Sequence, residues 1–132
     1  MFVIIREIND SKPDVVFVGG VALSYYDPTH IPQDIDIVVK NLEGLNSFGD
    51  IIEWNTDFVG SISTKRAYIK RDDFNIDIFI ENELPEYEIM DGIKYQTKDS
   101  LIRHYSWVRD FSPVELKDRF QQKIDLLNNV SK

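Results

Sequence analysis

Two short segments constrain this chain more than any other feature: Asp34-Ile35-Asp36-Ile37-Val38-Val39 and Asn75-Ile76-Asp77-Ile78-Phe79-Ile80. Side chains alternate across a β-strand, so residues two apart share a face. Ile35, Ile37 and Val39 then form a core face, with Asp34, Asp36 and Val38 opposite. The second segment repeats the design: Ile76, Ile78 and Ile80 point inward and Asp77 lies opposite. If the strands are neighbours, three carboxylates converge on one patch.

Carboxylates held that close repel and raise one another's pKa. A cation removes the conflict. The donors are hard oxygens, the chain has no cysteine, and neither segment holds a histidine. Such a set suits Mg²⁺ or Mn²⁺ rather than zinc. Two metals shared by aspartates activate an attacking oxygen and steady a leaving phosphate. Upstream, residues 15–18 read as a short buried strand, from their β-branched and aromatic content. Gly19-Gly20 turns the chain into a short helix over residues 21–26, which Asp27-Pro28 stops. A glycine pair there brings bare backbone N–H groups up to an anion at a helix N-terminus. Thirteen residues separate Gly20 from Asp34.

Elsewhere the pattern is coarser. Residues 2–10 are apolar without a period that separates helix from strand. Residues 34–39 read as a strand, 41–50 as loop or short helix, and 58–63 and 93–96 as short strands. Residues 67–70 and 74–80 read as a hairpin around Arg71-Asp72-Asp73. The acidic stretch 81–91, with Pro85, reads as loop. Ser112-Pro113-Val114-Glu115 has the form of a capping box with proline at the first helical position. Leu116, Phe120, Ile124 and Leu127 then make one apolar stripe, as Leu101, Tyr105 and Val108 do for the helix before it. The expectation is an α/β (α+β) chain: one domain over 1–132, a mixed β-sheet with helices packed on it, and two C-terminal helices.

The chain's 132 residues, 42% hydrophobic, allow one packed core without staples. The opening MFVIIREIND lacks the form of a signal peptide, and no apolar run reaches the roughly 18 residues of a membrane span. A soluble cytoplasmic protein with no membrane partner is expected. The formal net charge of −8 argues against non-specific nucleic-acid binding by the whole surface. His30 reads as a loop residue and His104 as a helix-surface residue. Lys65, Arg66, Lys70 and Arg71 read as solvated hairpin charges, Trp54 and Trp107 as packing residues, and Tyr25 and Tyr26 as packing for the short helix.

Taken in order, VFVGG, DIDIVV and NIDIFI resemble the motifs of the nucleotidyltransferase-fold superfamily, the group with a DNA polymerase β-like palm. The resemblance covers a motif core over residues 15–81, with a helical part over 98–130. Gly19-Gly20-Val21-Ala22 is closest to the small minimal members found in toxin–antitoxin and abortive-infection systems. The resemblance implies that Asp34 and Asp36 ligate two Mg²⁺ ions. It implies that Asp77 ligates one of them and helps deprotonate the acceptor hydroxyl, while Gly19 and Gly20 hold a nucleoside triphosphate. The implied reaction transfers a nucleoside monophosphate from NTP to a hydroxyl of a protein, a tRNA end or a small molecule. A homodimer mate or a partner protein would help to bind that acceptor. Relatives often carry Arg four residues and Thr two residues before the first Asp, where this chain has His30 and Pro32. In the helix after the third carboxylate they tend to carry Lys, where this chain offers Arg103 and His104. The alternative is a degenerate relative that binds a nucleotide or partner without turnover.

Overall fold

The computed structural model describes residues 1–55 and 65–130. The strand expected over 58–63 lies outside them. Helix α1 (Phe2–Ser11) resolves the ambiguity of the N-terminal apolar run, burying Ile5 and Ile8. Strand β1 (Val16–Val18) is wholly buried and runs into α2 (Gly19–Tyr26), so the glycine pair belongs to the helix rather than preceding it. Strand β2 (Ile35–Val39) is followed by a single 3₁₀ turn at Asn46–Phe48. Strands β3 (Ile51–Asn55), β4 (Lys65–Lys70) and β5 (Asn75–Ile80) come next. Strands β6 (Tyr87–Met90) and β7 (Ile93–Gln96) lead into α3 (Lys98–Phe111) and α4 (Val114–Asn128).

Among the described residues the seven strands form one mixed sheet, ordered β3-β4-β5-β2-β1-β7-β6. β2 runs parallel to β5, β1 runs parallel to β7, and the remaining pairs are antiparallel. One face carries the main core: Ile35, Ile37, Val39, Ile76 and Ile78 pack with Phe17, Ile69 and the α1 residues Ile5 and Ile8. A second cluster joins α2 to the C-terminal helices through Leu23, Tyr26, Leu101, Tyr105, Ile124 and Leu127. The expected α+β class, mixed sheet and paired C-terminal helices are all present.

Three local expectations are corrected. The acidic stretch 81–91 is not all loop, because β6 occupies Tyr87–Met90. Asp91 (φ 52°) and Gly92 (φ 77°) both take positive φ between the paired residues Met90 and Ile93, which is the geometry of a tight type I′ turn. The capping box is absent from α4: Pro113 is the N-cap, with no side-chain cap bond. Ser112 Oγ instead donates to Val108 O, in the last turn of α3. On α4, Leu116 stays 40% exposed, so the buried stripe starts only at the half-buried Phe120.

Candidate active site

The parallel register of β2 and β5 sets Asp36 directly beside Asp77, on the sheet face opposite the main core. Both side chains take this direction because the isoleucines flanking them are claimed by the core. Asp36 is pushed up to about 7, first by burial, then by the Asp77 charge and by a hydrogen bond the two carboxyls share, with Asp34 adding to it. Burial also raises Asp77, while the shared hydrogen bond and Arg66 act the other way. Burial and mutual repulsion thus favour keeping a proton on the pair.

Asp34 sits one residue before β2. Its Oδ1 accepts the Asn75 backbone N–H at 2.8 Å, an anchor between the starts of the two parallel strands. Its charge reaches both other aspartates. Two of the three expected carboxylates, Asp36 and Asp77, stand side by side, while Asp34 Oδ1 is engaged by the Asn75 backbone. Among the described residues no group of three or more acid, histidine or cysteine side chains is arranged to hold a metal ion.

Gly19, in a left-handed conformation (φ +58°), closes on the pair: a Cβ there would lie 2.3 Å from Asp36 Oδ2. No side chain caps α2, which leaves its first backbone N–H groups for another acceptor. At Gly20 a Cβ would stand 3.4 Å from His30 Nε2 and 3.3 Å from Pro32 Cβ. His30 thus lies in its loop, as expected, yet beside the helix N-terminus. Burial and Lys123 both lower its pKa.

Three further residues reach the site that the sequence alone did not assign to it. Arg66 on β4 is a site-facing cation rather than a solvated hairpin charge. Its guanidinium lies over the Phe79 ring at 4.7 Å and over Trp54 at 5.5 Å, and the charges of Asp77 and Asp36 offset the burial that disfavours its own. Lys123 on α4 approaches from the other side; burial lowers its pKa and Asp36 opposes that fall. His104 is not a surface histidine: it is half-buried, it lines a cavity, and burial, Arg66 and Lys123 all lower its pKa. Arg103, considered with it for the role of a helix cation, instead pairs with Glu86. A charge pattern could not have singled out Arg66 or Lys123, since both sit among other charged residues.

The cavity, about 600 Å³, opens beside Gly19 and Asp36 and extends to Arg66, Phe79, Leu84 and Gln96. Away from it, Arg71 donates to Phe48 O at 2.6 Å and Tyr25 stacks on Tyr95 at 4.8 Å. Trp107 packs edge-on to Phe111 at 5.3 Å. These match the packing roles expected of the aromatics.

No protein-family model matches the chain, and no curated protein matches it either. Solved structures do. A polyadenylate synthase from Megavirus superposes over 96% of this chain with a TM-score of 0.65 at 15% identity. This chain therefore shares its fold with part of that protein. JHP933 from Helicobacter pylori superposes over 79% of the chain with a TM-score of 0.55, also at 15% identity. The chain matches 30% and 52% of the length of these two proteins. No described helix is long and apolar enough to cross a membrane.

Proposed function

We propose that the chain is a Mg²⁺-dependent nucleotidyltransferase, moving a nucleoside monophosphate from NTP to a hydroxyl with release of pyrophosphate. The observation that carries this reading is the Asp36–Asp77 pair on adjacent parallel strands, with the Gly19 backbone against it. The pair's chemistry fits a hard divalent cation, Mg²⁺ or Mn²⁺: it is half-buried, made of oxygen donors alone, and its two carboxylates repel each other. Asp36 and Asp77 would hold the cation. When bound, the metal supplies charge neutralisation and polarises the phosphoryl oxygen.

The chain's own groups do the rest. The first N–H groups of α2, from Gly19 and Gly20, bind the triphosphate at the positive end of the helix. Arg66 and Lys123 flank the carboxylates as the cations nearest to charge that develops on the phosphates. Asp77, beside the cation site, accepts the proton of the acceptor hydroxyl. The acceptor we favour is a protein or the end of a tRNA, then a small molecule, brought by a homodimer mate or a partner protein. The Gly-Gly-x-Ala turn supports the small toxin–antitoxin type.

One observation favours the second reading, a module that binds nucleotide or partner without turnover: Asp34 already serves as acceptor for a backbone N–H. Titration calorimetry of each NTP with Mg²⁺, on wild type and Asp36→Ala, tests binding. Pyrophosphate release in the presence of protein or tRNA acceptors tests turnover. Metal-dependent binding and release, both lost in Asp36→Ala, are expected. Equal release from Asp36→Ala would sink the transferase reading, and binding without release from any acceptor would favour the second one.

A further inference from the structure

We propose that the open half of the site-bearing sheet face is a base-stacking platform, which holds the single-stranded end of an RNA acceptor against the carboxylate pair. The inference rests on the nucleotidyltransferase reading of the same site and chooses among its acceptors.

Strand register builds the platform. Across β5, β4 and β3, the residues Phe79, Arg66 and Trp54 stand side by side in one row, and Asp77, Tyr68 and Ile52 form the row beside it. Side chains directly opposite one another share a sheet face, so both rows lie on the face that carries Asp36 and Asp77. The Arg66 guanidinium joins the first row into one surface, 4.7 Å from the Phe79 ring centre and 5.5 Å from that of Trp54. Helix α2 packs on β1, β2 and β7, toward the other end of the sheet. At this end Trp54 is 43% and Ile52 46% exposed. Large apolar side chains left open beside a polar site mark a surface that a partner covers.

Charge selects the occupant. The chain carries 23 acids against 15 bases. Yet the site face of β3 and β4 presents Ile52, Trp54, Arg66, Tyr68 and Lys70 without one acid, since Glu53 alternates to the other face. Aromatic rings and guanidinium planes stack on any base, and a lysine contacts phosphate. Lys70 is exposed at the end of β4, two residues from Tyr68, where it suits the phosphate of the last nucleotide. A duplex hides its base faces, so a stacking row takes unpaired bases. From Phe79 to Trp54 the row spans two strand spacings, about 10 Å, which suits about two or three bases. Glu81 and Glu83 line the cavity and repel a phosphate chain there, so the RNA runs over β4 and β3. The end of the RNA then lies over Tyr68, and its terminal hydroxyl meets Asp77.

The test is fluorescence anisotropy of labelled RNA oligonucleotides of about ten nucleotides, with the protein in Mg²⁺ buffer. Single-stranded RNA is expected to bind, and the same sequence as a duplex to bind more weakly. Trp54→Ala is expected to weaken single-strand binding about tenfold, as for one lost stacking contact, while Trp54→Phe stays close to wild type. Lys70→Gln is expected to reduce the slope of log K against log salt by about 0.7, as for one phosphate contact. Trp107→Phe, on α3, is expected to bind as wild type does. A folded Trp54→Ala that binds RNA like wild type overturns the platform, as does a duplex bound as tightly as the single strand. A wild type that binds NTP with Mg²⁺ but no oligonucleotide also overturns it, leaves the transferase reading standing and moves the acceptor to a protein. Single-strand binding lost in Trp54→Ala, from a protein that binds no NTP, supports the platform and overturns the transferase reading.

Discussion

Gly19 is the residue whose replacement the site tolerates least. Its positive φ costs any L side chain, and a Cβ would meet Asp36 Oδ2 at 2.3 Å. Gly19→Ala is expected to lose about 1–3 kcal/mol of stability and to abolish Mg²⁺-dependent nucleotide binding, measured by urea denaturation and calorimetry. Gly20→Ala, whose Cβ would meet its nearest neighbours at 3.3–3.4 Å, is expected to cost less on both counts. At Asp36 the folded-state pKa of about 7 stands above the unfolded value of about 4. The folded protein then binds more protons than the unfolded chain between those two pH values. The stability this group contributes is complete below about pH 4 and is lost as pH rises through 7. In metal-free buffer the wild-type Tm should therefore fall from pH 5 to pH 8, and the Asp36→Asn Tm should fall less and lie higher at pH 8. Parallel melting curves for the two proteins would contradict the shared-proton account.

Between elements, the parallel pairing of β2 with β5 carries both the core and the site. Ile78 is fully buried opposite Asp77, so Ile78→Ala is expected to cost about 2–5 kcal/mol. Leu116→Ala, on the exposed first turn of α4, should change stability by no more than about 0.5 kcal/mol. Equal losses in chemical denaturation would mean that α4 packs over its whole length. Strands β1, β2, β5 and β7 and the Gly-Gly helix start were legible because their signals are local: a period of two, β-branched content, and a backbone demand met by glycine, whereas β3 and β6 were not read. The Asp91-Gly92 hairpin was legible too, since Asp-Gly is a strong type I′ signal, but the acidic composition around it outweighed that signal. The Ser112 capping box was misleading for a physical reason. A hydroxyl between two helices can bond backward as well as forward, and here it bonds the carbonyl of Val108.

For the molecule as a whole, with a net charge of −8, the proposed function predicts that Mg²⁺ stabilises the fold through Asp36 and Asp77. At a Mg²⁺ concentration ten times its Kd, linkage gives about 1.4 kcal/mol. That should raise Tm at pH 8 by a few degrees, with EDTA reversing the rise and Asp36→Asn showing none. An equal rise in both proteins would place the cation elsewhere on the acidic surface.

By itself the sequence determined which residues lie inward and which lie outward on β2 and β5, that Asp36 and Asp77 oppose the core, and that the chain turns at Gly19. These follow from side-chain alternation and from backbone sterics, which act over a few residues. Only the tertiary structure decided that β2 and β5 are parallel neighbours in the register that puts the two aspartates side by side. It also brought Arg66, Gln96, His104 and Lys123 to the neighbourhood of that pair from two other strands and two helices. Those meetings depend on how long-range strand pairing and helix packing close the sheet, and no local pattern of residues encodes them.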